Sequence, residues 1–272
     1  MEIYYDKQNK RLVYTGEAAT PDFWDRMFDS ENFKKNIERG KDDWFVLRTL
    51  KKYMPDKKGC ILDGGCGGGR IVYCMHAHGY ESVGVDSASK TIAKIKELFP
   101  ELNVRAGDVC NLETPDDHFS AYWSIGVIEH FWDGYQPVIR EMKRVLVNGG
   151  YLFLSFPYMS PLRKLKAKLG LYRKYSSERK KDFYQFALDH NTVVKDFEAN
   201  GFKVVEKKPS AGVKGFKDEF SLLKPALQRL FGYKGGNILV RGVRYVLDQL
   251  FAFFAGHTIF IVLQNVKRVP LA

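Results

Sequence analysis

The sequence predicts an α/β fold built on a parallel sheet, and three observations carry that expectation. From Cys60 onward, short apolar runs alternate with helical patterns, the order expected of strands joined by crossover helices. The run Cys60-Ile61-Leu62-Asp63 breaks into a loop carrying five glycines, Gly64, Gly65, Gly67, Gly68 and Gly69, before helical character resumes at Arg70. A second apolar run, Ser82-Val83-Gly84-Val85-Asp86, also ends in a carboxylate, 23 residues after Asp63. A glycine loop at the carboxyl end of a strand lets a nucleotide-like ligand approach the main chain. An acid about 20 residues further on can accept both hydroxyls of a ribose.

The elements follow in order. The first 55 residues read as helical segments rich in aromatics, Phe23 to Phe28 and Trp44 to Leu50. Tyr4, Tyr5, Phe23 and Trp24 either cap a ligand pocket or pack as a flank. Strands are expected near 60–63, 82–86, 102–106, 119–125 and 150–156, and helices near 69–78, 88–98 and 134–147. Pro157 stops the fifth strand, and residues 158–182 form a basic insertion. Asn191 to Asn200 reads as a helix closed by Gly201, and Phe202 to Glu206 as a sixth strand. A second insertion over 209–255 carries turn signals at Gly212, Gly215, Pro225 and Gly235-Gly236. Within it Leu239, Val243, Val246, Leu247, Leu250 and Phe254 recur at helical spacing. That stripe either packs on its own domain or lies on a membrane surface or lipid-like substrate, giving a peripheral contact over 238–254. His257 to Leu263 reads as a β-branched closing strand, antiparallel to the sixth.

Composition narrows the class. At 272 residues, 45% hydrophobic and 28% charged, the chain can bury a large core. No apolar run reaches the ~18 residues of a membrane span, and Met1 to Lys10 is too polar for a secretion signal, so a cytoplasmic location is expected. Cys60, Cys66, Cys74 and Cys110 lack metal-ligand spacing, so they read as reduced thiols and no metal is expected. The net charge of +11 is uneven: residues 1–156 carry 21 basic and 23 acidic side chains, residues 157–272 carry 22 and 9. A basic second half points to an acidic partner such as a phosphorylated metabolite, an anionic lipid surface or nucleic acid.

The loop chooses among ligands. A dinucleotide loop reads G-x-G-x-x-G, but from Gly65 the third glycine position is Arg70. Asp63 places a negative charge before the loop, which suits a cationic ligand better than a pyrophosphate. The string Ile61 to Gly69 resembles motif I of class I S-adenosylmethionine-dependent methyltransferases of the small-molecule type. Ala106-Gly107-Asp108-Val109 resembles the segment after that family's third strand. Tyr122 to Phe131 resembles its fourth strand and active-site turn, and Glu141 to Gly150 the helix and turn before its fifth. These matches cover roughly residues 55 to 156. Two departures stand out: Ser120 follows Phe119 where the family commonly has an acid, and Gly65 replaces another small residue.

The resemblance implies a three-layer sandwich with a seven-stranded, mostly parallel sheet in the order 3-2-1-4-5-7-6, strand 7 antiparallel. It implies one methyltransferase domain over 1–272: a helical cap (1–55), a cofactor core (56–156), insertions 157–189 and 209–255 forming a substrate lid, and a last strand and tail (256–272). S-adenosylmethionine is the implied cofactor and S-adenosylhomocysteine its product. Asp63 and the Gly64, Gly65 and Gly67 backbone would hold the methionine part, Asp86 with Ser87 the ribose, and Asp108 with Val109 the adenine. Ser124 and Gly126 would line the floor. Asp63 and Asp108 could instead cap local turns. His130 is the candidate general base, or else it orients substrate. Phe131, Trp132, Tyr158 and Tyr184 are candidate acceptor contacts, or else a hydrophobic cluster under a lid. The expected acceptor is a small molecule, anionic or membrane-linked. A nucleic-acid acceptor is disfavoured because Ser124-Ile125-Gly126-Val127 stands where the Pro-Pro-Tyr signatures of such enzymes fall. A binding protein without activity is the second alternative, and an NAD-dependent oxidoreductase the remotest.

Overall fold

The computed structural model describes residues 1–220, 225, 228 and 238–267. The chain opens on a hairpin, β1 (Glu2–Asp6) and β2 (Arg11–Thr15), which corrects the expectation of an all-helical cap over 1–55. Both strands are rich in aromatic and β-branched residues, which favour pleated surfaces. Asp6 closes the turn by accepting the Asn9 N–H at 3.1 Å and its side-chain amide at 2.7 Å. The helices α1 (Pro21–Phe28), α2 (Phe33–Glu38) and α3 (Trp44–Tyr53) follow. Thr20 caps α1 by accepting the Phe23 N–H at 3.2 Å, and Pro21 sits where its missing N–H costs nothing.

The main sheet then builds through β3 (Cys60–Gly64), α4 (Arg70–Ala77), β4 (Ser82–Asp86), α5 (Ser89–Leu98), β5 (Val104–Ala106), β6 (Phe119–Ile125), α6 (Gln136–Val145) and β7 (Leu146–Pro157). After an insertion, described below, come α8 (His190–Ala199), β10 (Phe202–Ser210) and β11 (Thr258–Asn265). The strand order is β10-β11-β7-β6-β3-β4-β5. Strands β3 to β7 run parallel, and β11 lies antiparallel between β7 and β10. This is the expected seven-stranded order. β3 pairs with β4 on one side and β6 on the other, so the winding reverses there, and a crevice opens at the carboxyl ends of those strands. Ser120 donates to the Cys60 carbonyl at 3.0 Å, so a hydroxyl tethers β6 to β3 where the family has an acid.

The insertion after β7 supplies α7 (Pro161–Lys168) and the short strands β8 (Arg173–Lys174) and β9 (Phe183–Ala187). These join the N-terminal hairpin in a second sheet, β8-β1-β2-β9. A bridge from Tyr158 to Leu188 holds the end of β9 beside the end of β7. Segments from before and after the core thus form one sheet.

The second insertion differs from its expectation. Gly212 and Gly215 do not mark turns; they lie in α9 (Gly212–Glu219), against α10 (Ile238–Ala255). A Cβ at Gly215 would stand 1.7 Å from the Ala255 carbonyl oxygen, and one at Gly212 2.2 Å from the Ala252 nitrogen, so glycine permits close helix packing. Of the α10 stripe, Val243, Val246 and Leu250 are more than half exposed, while Leu247 is half-buried. Among the described residues no helix is long and apolar enough to cross a membrane. The turn expected at Gly235-Gly236 lies outside the described residues. Arg163, fully buried, ties α7 to α9 and β11: it donates to Glu219 at 2.9 Å, to the Tyr158 carbonyl at 2.9 Å and to His257 Nδ1 at 3.0 Å.

Candidate functional site

Three glycines of the β3–α4 loop adopt left-handed backbone, Gly65 (φ +81°), Gly67 (φ +49°) and Gly69 (φ +75°). A Cβ at Gly67 would lie 2.5 Å from Phe28, and one at Gly65 2.4 Å from Val127, so the loop admits close neighbours that a side chain would exclude. Asp86, at the tip of β4, binds the loop from below. Its two oxygens accept the Gly67 N–H at 2.7 Å and the Ala88 N–H at 2.9 Å, and each keeps a lone pair for a further donor.

Two cavities flank the loop. One, about 490 Å³, is lined by Trp24, Phe28, Gly65, Gly67, Asp86 and Ser87, and on its far wall by Asp108, Val109, Gly126, His130 and Phe131. The other, about 780 Å³, contains Asp63 and shares Gly65, Gly67, Phe28 and Ile125 with the first. Asp63 is 2% exposed, and its Oδ2 has no partner among the described residues. Burial, with the Asp86 charge adding to it, pushes its pKa up to about 8. Asp63 therefore caps nothing through that oxygen. Asp108 is exposed and accepts the Cys110 N–H at 2.8 Å, closing a turn as well as facing the cavity.

On the far wall, His130 Nδ1 lies 2.8 Å from the Tyr184 carbonyl oxygen. A carbonyl only accepts, so Nδ1 carries the proton and Nε2 presents a lone pair. Burial lowers the pKa of His130 further than this bond raises it, which keeps the ring neutral. Its ring packs edge-on against Trp24 at 5.0 Å and Tyr184 at 5.2 Å. Beside it stands a group that motif reading passed over. Glu129 is 2% exposed, its Oε2 lacks a partner among the described residues, and Oε1 reaches to 3.7 Å of where a Gly126 Cβ would stand. Burial pushes its pKa up to about 8. An acid beside the candidate base was visible in the sequence; its burial was not.

The remaining candidates separate. Ser124 is fully buried, with an unpartnered hydroxyl, and Gly64 packs against the Tyr122 hydroxyl; neither lines the first cavity. Tyr158 is 2% exposed, its hydroxyl 3.5 Å from the Ala252 carbonyl, so it belongs to the core rather than to a substrate wall. Phe131 faces the first cavity, but Trp132 faces a different cleft on the second sheet. Of the N-terminal aromatics, Trp24 lines the cavity, Phe23 packs on Trp24 and Tyr184, Tyr4 is buried in the second sheet and Tyr5 lines that other cleft. Trp24 and Phe28, four residues apart on α1, share one face of that helix. Asp25 locks α1 in place by accepting the Thr91 N–H and hydroxyl, both at 2.8 Å, at the start of α5.

Residues 62–154 match the family described as methyltransferase domain. A candidate S-adenosylmethionine-dependent methyltransferase of Mycolicibacterium smegmatis is 31% identical over 97 residues, which span 36% of this chain and 37% of that relative's length. A solved S-adenosylmethionine-dependent methyltransferase from Archaeoglobus fulgidus superposes with a TM-score of 0.51 at 18% identity, covering 84% of this chain and 96% of that one. The [4+2]-cyclase SpnF superposes with a TM-score of 0.56 at 14% identity, covering 94% and 99%. Residues 62–154 thus carry a methyltransferase domain, within a fold shared with S-adenosylmethionine-dependent methyltransferases.

Proposed function

We propose that the protein transfers a methyl group from S-adenosylmethionine to a small-molecule acceptor that is anionic or membrane-linked. The observation that carries the cofactor reading is Asp63, a buried carboxyl whose Oδ2 has no partner among the described residues, beside a loop that leaves no room for a side chain at Gly65 or Gly67. An unpaired buried acid costs stability unless a cation meets it, and the cofactor's methionine end is cationic. In this reading Asp63, Gly65 and Gly67 hold that end, Asp86 and Ser87 the ribose, Asp108 and Val109 the adenine, and Trp24 and Phe28 cover the cavity. When bound, the cofactor supplies an electrophilic methyl group with its leaving group already installed. The protein's own task is then to orient the acceptor and exclude water. His130, with Nε2 unprotonated, accepts the proton of a hydroxyl or ammonium acceptor. The exposure of Val243, Val246 and Leu250 on α10 supports a peripheral contact with a membrane, and the packing of Tyr184 from the 157–189 insertion on His130 supports a substrate lid.

S-adenosylhomocysteine should bind with micromolar affinity in calorimetry, and absence of heat at millimolar ligand would refute the cofactor reading. His130→Ala should lower turnover at least a hundredfold in a transfer assay over an acceptor panel while leaving that affinity intact. Near-normal turnover would remove His130 as the base. The fold of SpnF, a cyclase by name, favours one second reading: the same pocket serving a reaction other than methyl transfer. Product analysis for S-adenosylhomocysteine separates the two.

A further inference from the structure

A further cleft lies outside the glycine-loop cavities. It measures about 950 Å³ and opens between the β1–β2 turn and the carboxyl end of α7. Six cations line it: Lys7, Lys10, Arg11, Lys164, Lys168 and Lys174. Its two acids are already neutralised, Asp6 by Arg11 at 3.1 Å and Asp189 by Lys164 at 2.6 Å. Lys7, Lys10, Lys168 and Lys174 make no ion pair with any described residue. Four exposed lysines around one concavity give it a positive potential that favours an anion. The apolar walls are aromatic, Tyr5, Trp132, Tyr172 and Tyr175. Arg11 is fixed by stacking 3.6 Å above the Phe186 ring, so the floor is rigid while the lysines can close on a ligand.

We propose that this cleft is a second binding site, for a phosphorylated small molecule with a flat or apolar portion. The lysines hold the phosphate groups, and the aromatic rings take the remainder. A concavity of ligand volume favours a small ligand over a polymer. The site is separate from the proposed transfer cavity, with which it shares no lining residue. It adjoins that cavity through one turn, since Trp132 faces the cleft while Phe131 and His130 face the cavity. Occupancy can therefore be sensed where the candidate base sits, but binding here does not depend on the methyl-transfer reading.

The test is calorimetric titration of the whole protein with inorganic pyrophosphate at low salt. Saturable one-to-one binding is expected. The double variant Lys10→Glu, Lys168→Glu should weaken it at least tenfold, with S-adenosylhomocysteine affinity and thermal midpoint unchanged. The double variant Lys51→Glu, Lys96→Glu, which makes the same charge change on α3 and α5, should leave pyrophosphate binding within twofold. Absence of binding at millimolar pyrophosphate, or equal weakening by both double variants, overturns the proposal, the latter because net charge alone would then explain the affinity. Single-stranded RNA that binds more tightly than pyrophosphate and competes with it also overturns the small-ligand assignment. Loss of S-adenosylhomocysteine binding without loss of pyrophosphate binding would count against the cofactor reading and leave this one standing.

Discussion

Asp63 makes the cofactor reading quantitative. Burial and the neighbouring Asp86 charge raise its pKa from the ordinary 3.8 to about 8 in the free protein. At pH 7 only about a tenth of the molecules then carry the ionised carboxylate that a cationic ligand needs. Binding of S-adenosylhomocysteine, whose amine is cationic, should drive the proton off. Its affinity should rise by nearly tenfold per pH unit at the acid end of a pH 6 to 8 window, and level off above it. Calorimetry in buffers of different ionisation enthalpy should register up to one proton released per ligand at pH 6.5. The free protein should show the opposite trend in stability. Its unfolded chain loses the Asp63 proton above about pH 4, the folded chain only near 8. Stability contributed by that retained proton falls as pH rises across the window, by at most ~1.4 kcal/mol per unit.

Asp63→Asn should abolish the pH slope, weaken S-adenosylhomocysteine at least tenfold at pH 8 and raise the thermal midpoint of the free protein there. Glu129 titrates in the same range, so Glu129→Gln is the control and should preserve the slope. An affinity independent of pH between 6 and 8, or a slope that survives Asp63→Asn, would refute the assignment of the cation to Asp63.

Further expectations test the frame around the site. Gly67→Ala forces a side chain into left-handed backbone and against Phe28, and should cost about 1–3 kcal/mol in urea unfolding together with most of the S-adenosylhomocysteine affinity. Asp25→Ala removes the tertiary cap between α1 and α5; it should cost about 1–2 kcal/mol and weaken the ligand by loosening Trp24 and Phe28, read by thermal melting and calorimetry. Arg163→Met leaves Glu219 buried with only Lys166 and Tyr172, and should destabilise by about 3–5 kcal/mol in urea titration without a specific effect on ligand affinity.

The main sheet was legible because its strands are short apolar runs bounded by glycine and acid, a local pattern. The second sheet was not. β8 has only two residues, Arg173 and Lys174, and its pairing with Tyr4 and Tyr5 spans almost the whole length of the core sequence. No periodicity can announce a partner that far away. Gly212 and Gly215 misled for a related reason: glycine is needed both for turns and for close packing, and only the position of α10 decides between them. Trp132 and Tyr158 were drawn toward the active site by proximity in sequence. Neighbouring residues on a turn point to different sides, so Phe131 and Trp132 face different cavities.

The buried ionic groups sort themselves by whether they are paired. Arg163, Lys166 and Tyr172 all converge on the Glu219 carboxylate, and that network holds α7 to α9. Asp63 and Glu129 are as deeply buried, and each has an oxygen without a partner among the described residues. A fold under selection for stability alone would replace such acids with apolar or amide residues, because each one costs free energy in the empty protein. They stand at the tips of β3 and after β6, on either side of the glycine loop, and His130 beside them is fixed in one tautomer by a carbonyl of the second sheet. The unpartnered acid at the tip of β3 thus stands where the strands reverse their winding, and a cationic ligand there would relieve the cost of burying Asp63.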